Sequence, residues 1–186
     1  MQYITRKGSF DSGHRVMNER MKCFNLHGHT YLYELTFSFE HMKEIGYAID
    51  FKEIKRIGCQ WIDDYLDHGM ILNPQDRDLI EMCRFNDWKV WQMSLEKNND
   101  YCNPTVENIA QEILLAQGIL FSKFDGLNAH KIVLHETPNC STECFYKEIP
   151  TPVVNNFATH RARELIMYAD KMGIVEYDDR RWDPYK

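Results

Sequence analysis

Long hydrophobic runs are missing from this sequence. The longest apolar stretches, Gly118 to Phe121 and Ile132 to Leu134, fall far short of the ~20 residues that a membrane-spanning helix needs. A soluble chain without membrane contact is expected. The start, Met1-Gln2-Tyr3-Ile4-Thr5-Arg6, lacks a charged opening, an apolar stretch and a small-residue cleavage site, so the cytoplasm is the expected location. An excess of basic residues is also missing: the formal net charge is −6, which argues against a broad nucleic-acid surface, because phosphate binding rests on a basic footprint. Internal repeats and low-complexity tracts are absent.

With 186 residues and 44% hydrophobic composition, the chain can bury a sizeable core, and one compact domain is expected. The six cysteines, at positions 23, 59, 83, 102, 140 and 144, read as free thiols in the absence of an export signal. Against the negative total, Arg15, Arg20 and Lys22 form a local basic cluster beside the histidines, enough for a small anionic ligand.

From Tyr31 to Phe39 the odd positions are apolar (Tyr31, Tyr33, Leu35, Phe37, Phe39) and the even ones largely polar, which predicts a half-buried strand. The same parity places His27 and His29 in phase with the apolar face. Ser9 to Val16 also reads as extended, with Phe10, Ser12, His14 and Val16 on one face. Asp50 followed by Glu53 resembles a capping box, and Phe51, Ile54, Ile57, Trp61 and Tyr65 recur at helical spacing to about Leu66. Asn103-Pro104 reads as the cap and first position of a second helix ending at Gly118. Lys131 to Glu136 and Glu143 to Lys147 predict two strands around the turn Thr137-Pro138-Asn139. The polar segment at about 74–102, with Trp88 and Trp91, reads as an insertion. Ala158, Ala162, Leu165, Ile166, Ala169 and Met172 form a helical stripe that Gly173 can end. The expected architecture is thus α+β in the order ββααββ, with a domain over 1–149 and a helical appendage over 150–186.

The chemistry concentrates in Cys23-Phe24-Asn25-Leu26-His27-Gly28-His29. Two histidines at i and i+2 of an extended chain point the same way and can share one metal, and the glycine between them removes bulk where backbone would approach an ion. His14, on the neighbouring extended segment with matching parity, is the natural third ligand. Three imidazoles with an open fourth position suit a catalytic zinc ion. Cys23 is either a buried inert thiol or a thiolate favoured by nearby zinc and basic residues, able to act as a general base. Asp67-His68 has the composition of a proton relay, and such pairs also arise by chance. Glu107, in the first helical turn, has an adequate explanation in the helix dipole. Glu136 follows Ile132 and Leu134 on one strand face and needs a polar partner, from the protein or from a ligand's N–H groups. Cys140 and Cys144 read as ordinary thiols.

Together, Phe10-Asp11-Ser12-Gly13-His14-Arg15, the Cys23 to His29 run, Ile49-Asp50-Phe51, Leu66-Asp67-His68 with Leu72-Asn73, Pro104-Thr105-Val106-Glu107-Asn108, and Glu136-Thr137 before Cys144-Phe145-Tyr146 resemble the 6-pyruvoyl-tetrahydropterin synthase superfamily. The nearest branch is that of the 6-carboxy-5,6,7,8-tetrahydropterin synthases of queuosine biosynthesis. The resemblance spans most of residues 3–147. It implies a tunnelling fold, with a four-stranded antiparallel sheet and two helices on one face, in a homo-oligomer, a hexamer, with active sites at subunit interfaces. By position it makes His14, His27 and His29 the Zn2+ ligands, Cys23 the catalytic thiol and Asp67 with His68 its relay. Glu136 becomes the pterin anchor and Thr105 and Glu107 the pocket lining, while on local charge alone Arg15, Arg20 and Lys22 are expected to meet the triphosphate. The implied reaction converts 7,8-dihydroneopterin triphosphate to 6-carboxytetrahydropterin, acetaldehyde and triphosphate. A pyruvoyl-forming synthase and a non-catalytic zinc- or pterin-binding protein are the alternatives. The sequence departs from the family pattern in Ser12-Gly13, where relatives carry two alanines, and in its insertion and tail.

Overall fold

Strand alternation is strongest at the centre of the sheet, where β1 (Gln2–His14) pairs antiparallel with β2 (His27–Phe39) in a computed structural model that describes residues 1–18, 22–43, 46–95 and 102–173. The register sets Phe10 opposite Tyr31, Ser12 opposite His29 and His14 opposite His27. β5 (Leu127–Thr137) adds antiparallel to β2, and β6 (Cys140–Phe145) to β5 across the expected turn. Tyr31, Tyr33, Leu35, Phe37, Ile132 and Leu134 are all buried, so the predicted apolar parity is the core face.

The sheet has six strands, in the order β4-β3-β1-β2-β5-β6, rather than the four expected. β3 (Gly69–Leu72) runs parallel to β1, and β4 (Val90–Gln92) parallel to β3. At four and three residues these strands are too short to show a period, and partners distant in sequence decide them. The segment after Pro74 therefore contains structure: α3 (Arg77–Phe85), capped by the Asp76 side chain, and then β4.

The first predicted helix runs from α1 (Phe51–Ile54) through a π-helical segment (Lys55–Cys59) into α2 (Gln60–Tyr65), with Asp50 accepting from the Lys52 N–H. Glu53 completes no capping box; it pairs with Arg56. α4 (Val106–Leu120) starts later than expected, with Thr105 as its cap. The Asn103 side chain is occupied by the Met17 backbone, and the Pro104 carbonyl by His14. Gly118 does not end α4, because the Tyr146 ring packs where a Cβ would stand and the glycine stays inside the helix. α5 (Thr151–Met172) ends at Gly173, whose φ of 72° suits glycine.

Phe157, Leu165, Tyr168 and Ala169 of α5 join the same hydrophobic cluster as α4 and the sheet. A polar network reinforces that junction. Glu112 of α4, almost fully buried, accepts from Trp91 Nε1 at 3.0 Å and from the Ser94 N–H and hydroxyl at 3.1 and 2.7 Å. The Arg161 guanidinium of α5 lies 4.0 Å from the Trp91 ring centroid and donates to Ser94 Oγ and the Gln92 carbonyl. No described helix is long and apolar enough to cross a membrane.

Candidate metal centre

The core face of β1 and β2 becomes an imidazole face at one end. Phe10 stacks on Tyr31 at 4.9 Å, and beyond this pair the same parity brings up Ser12 and His14 on β1 and His29 and His27 on β2. Ligand atoms of His14, His27 and His29 all lie within 4.8 Å of one another, the three-way convergence that the spacing predicts. The Nδ1–H of His14 donates to the Pro104 carbonyl at 2.7 Å, and that of His27 to the Asn25 carbonyl at 2.7 Å. A carbonyl can only accept, so both rings carry their proton on Nδ1 and keep Nε2 as a free donor pair, the tautomer a metal ligand needs. The donor set fits zinc.

Burial lowers the His14 pKa to about 4, with the hydrogen bond to the Pro104 carbonyl opposing the shift and the neighbouring His27 and His29 rings adding to it. The neutral imidazole is thus the resident form near neutrality. Gly28 is also required by the packing of the sheet itself. A Cβ there would stand 3.0 Å from the Ser12 carbonyl oxygen, so the glycine lets β2 lie against the β1 backbone between its two histidines.

Glu136, at the end of β5, turns its carboxylate toward this cluster, with Oε1 3.8 Å from both His14 Nε2 and His29 Nε2. Tyr31 stands behind the histidines, its hydroxyl 3.4 Å from His14 Nε2, and burial followed by the Glu136 charge pushes its pKa up.

Cys23 is an exposed free thiol on a 3-10 turn (Lys22–Phe24), and its carbonyl accepts from the Val16 N–H at 2.8 Å. Thr105 follows Pro104, whose carbonyl orients His14, and exposed Glu107 lies in the first turn of α4. Arg15 makes a two-pronged ion pair with buried Asp76, at 2.5 and 2.6 Å, and lies 5.2 Å from the Phe24 ring centroid. Lys22 is exposed on the same turn as Cys23; Arg20 lies outside the described residues.

Asp67 and His68 sit elsewhere. Asp67 accepts from the Asp11 N–H at 2.8 Å and from His68 Nδ1 at 2.6 Å, and the His68 N–H donates to the Asp11 carbonyl at 2.7 Å. Asp11, Gly13, Gly28 and Thr30 face away from the imidazoles by strand alternation. His68 borders a shallow depression of about 410 Å³ lined by these residues together with Ser12, His29 and Gly69, and ligand atoms of Asp11, Asp67 and His68 lie within 4.8 Å of one another on the Asp11 side. Within one chain the pair therefore lies across the sheet from the histidine cluster. Burial works against the Asp67 carboxylate, yet the Asp11 N–H, His68 and Lys89 hold its pKa below the ordinary value. His68 has a φ of 52°, an uncommon conformation for a side-chain-bearing residue.

Sequence reading missed the polar residues behind the Cys23 loop: Asn73 as a functional position, Asp76, and the side-chain role of Asn103. One signal was available, since Asp76 precedes the helical stripe of Leu79, Ile80 and Cys83 as an N-cap does.

Residues 3–147 match the family model described as 6-pyruvoyl tetrahydropterin synthase. A protein of Rickettsia felis named 6-carboxy-5,6,7,8-tetrahydropterin synthase is 37% identical over 145 residues, which cover 75% of this chain and 96% of that one. Among solved structures, an uncharacterized protein of Wolinella succinogenes superposes with a TM-score of 0.58 at 21% identity, over 78% of this chain and 98% of the other. The 6-pyruvoyl tetrahydropterin synthase of Caenorhabditis elegans gives 0.54 at 20% identity, over 77% and 94%. The fold is thus shared with those structures, and the match over residues 3–147 places this chain in the 6-pyruvoyl tetrahydropterin synthase family.

Proposed function

We propose that the protein is a zinc-dependent 6-carboxy-5,6,7,8-tetrahydropterin synthase, a lyase that converts 7,8-dihydroneopterin triphosphate to 6-carboxytetrahydropterin, acetaldehyde and triphosphate in the queuosine pathway. The observation that carries this reading is the convergence of three imidazoles, two with Nδ1 committed to carbonyls so that Nε2 is left as the metal-binding nitrogen. The name carried by the Rickettsia felis relative supports the carboxy-forming branch. Zinc held by His14, His27 and His29 would act as a Lewis acid on the substrate's side-chain oxygens.

The protein's own groups supply the rest. Glu136, beside the cluster and partly open to solvent, anchors the pterin by accepting from its ring N–H groups. Cys23 takes a proton from the substrate side chain, and His68, oriented by Asp67, moves protons on the other side of it. Thr105 and Glu107 line the pocket where α4 begins. Lys22 and Arg20 meet the triphosphate, and Arg15 borders it while paired with Asp76. Residues 1–149 carry this chemistry as one domain in the cytoplasm, with residues 150–186 as its appendage.

The position of Asp67 and His68 across the sheet from the histidines supports a homo-oligomer, taken as a hexamer, in which the relay of one copy serves the thiol of another. The test is a metal assay joined to product analysis on 7,8-dihydroneopterin triphosphate. One zinc per chain, acetaldehyde and the 6-carboxy product are expected. Consumption of substrate without acetaldehyde would assign the pyruvoyl-forming reaction instead, and metal binding without turnover would assign a binding protein. Cys23→Ala should keep its zinc and lose turnover.

A further inference from the structure

The connection between β1 and β2 carries Cys23, and its first residues are held from outside by three side chains with no part in the chemistry above. Asn103 grips the Met17 peptide at both ends: its Oδ1 accepts from the Met17 N–H at 3.0 Å, and its Nδ2 donates to the Met17 carbonyl at 2.9 Å. This reproduces the double bond of a β-ladder pair with a side-chain amide, so it fixes the peptide's plane as well as its place. Asn73, fully buried, donates from Nδ2 to the same Asn103 Oδ1 at 2.9 Å, and its own Oδ1 accepts from the Gln75 N–H at 2.9 Å. The Asn103 amide therefore has only one satisfactory orientation. Asp76, 2% exposed, holds the adjacent Arg15 through both guanidinium prongs.

The far end of the connection closes on this fixed end. The Val16 N–H donates to the Cys23 carbonyl at 2.8 Å, and the Arg15 guanidinium lies near the Phe24 ring. Residues 15–17 are thus clamped from the β3–α3 corner and from the residues leading into α4, and Cys23 is tied to residue 16 through one backbone hydrogen bond. His14, one residue before the clamp, is itself fixed by the Pro104 carbonyl, one residue after Asn103.

We infer that Asn103, backed by Asn73 and with Asp76 beside it, is the positioning apparatus that sets the Cys23 thiol relative to the histidine cluster. The inference rests on the proposed role of Cys23 as the reactive thiol. It also gives a purpose to the start of the segment after Pro74: the carboxylate that caps α3 is the one that holds Arg15. Each of the three is a positioning residue that acts through the loop.

The test uses full-length, zinc-reconstituted protein carrying Asn103→Ala or Asp76→Asn; the second retains an α3 cap and separates the clamp from folding of that helix. Hydrogen exchange is followed in the peptides covering residues 15–24, beside kcat, KM and metal content. Exchange in those peptides should accelerate roughly tenfold or more, since opening no longer breaks the paired hydrogen bonds. In Asn103→Ala the kcat should fall about 10- to 100-fold through misplacement of the thiol, with KM within about twofold; in Asp76→Asn, which also loosens Arg15 beside the triphosphate, kcat should fall in the same direction, and zinc should be retained in both. Asn103→Gln, which keeps the amide on a longer stem, should recover part of the exchange protection. Unchanged exchange would overturn the inference, as would accelerated exchange with unaltered kcat, or a fall in kcat matched by loss of zinc. Failure of the underlying reading looks different: Cys23→Ala would then turn over like the wild type, whatever the exchange data show.

Discussion

His14 and His27 face each other as cross-strand partners of β1 and β2, with ring centroids 4.5 Å apart. Two imidazolium rings this close would repel, whereas one cation shared by their Nε2 lone pairs holds both neutral rings together.

Loss of His27 should therefore separate metal binding from folding. His14 is 1% exposed, and truncating it would leave a cavity, whereas His27 is only partly buried. His27→Ala is expected to lower zinc affinity by more than the ~10- to 100-fold typical of a lost outer partner. Metal analysis after dialysis against a chelator, with circular dichroism as the folding control, checks this. Wild-type zinc content in the variant would remove His27 from the ligand set.

Glu136→Gln preserves shape and removes charge. A hydrogen bond to a charged group contributes about 1.5–3 kcal/mol, so affinity for a dihydropterin lacking the triphosphate should drop about tenfold or more, with zinc content intact. Ligand titration by pterin fluorescence measures it, and equal affinity in both proteins would refute the anchoring role.

Asp67→Asn tests the relay pair through stability. The pKa of Asp67 is depressed in the fold below its ordinary 3.8. Its ionised form therefore stabilises the protein above the unfolded value, and that contribution disappears as pH falls through the folded one. With its side chain 29% exposed, the contribution is modest, about 0.5–1 kcal/mol. Chemical denaturation should show the variant less stable by that amount near neutrality, and the gap should close in acid below the aspartate range. A gap that persists there would assign the loss to geometry instead of charge.

Glu112 and Arg161 should behave as one unit. Glu112 accepts three donors while fully enclosed; burial raises its pKa, with the Ser94 donors and the Arg161 charge opposing. Glu112→Gln turns an amide N–H toward donors and should cost about 3 kcal/mol of stability. In a double-mutant cycle with Arg161→Ala, the two losses should fall short of additive by about 1 kcal/mol. Strict additivity would mean that α5 and the segment around Trp91 are not coupled through this network.

Much of the candidate site was legible because it depends on local alternation. His27 and His29 share a face two residues apart on any extended chain, and the apolar parity of Tyr31 to Phe39 identifies that face as the inner one. His14 follows by the same rule on β1, although its pairing with His27 needed the register. The α4 cap was misplaced for the opposite reason: Asn103 is a good capping residue locally, but a partner 86 residues away in sequence claims its side chain.

The sequence alone determined which residue types face the core, where the long strands and helices lie, and which imidazoles share a side, since each follows from a period of two or of about 3.6 along the backbone. Only the tertiary structure decided the parallel additions of β3 and β4, the grip of Asn103 on Met17, the burial of Glu112 beneath Trp91, and the placement of Asp67 and His68 across the sheet from the histidines. Those outcomes depend on contacts between segments far apart in the chain, which no local period encodes.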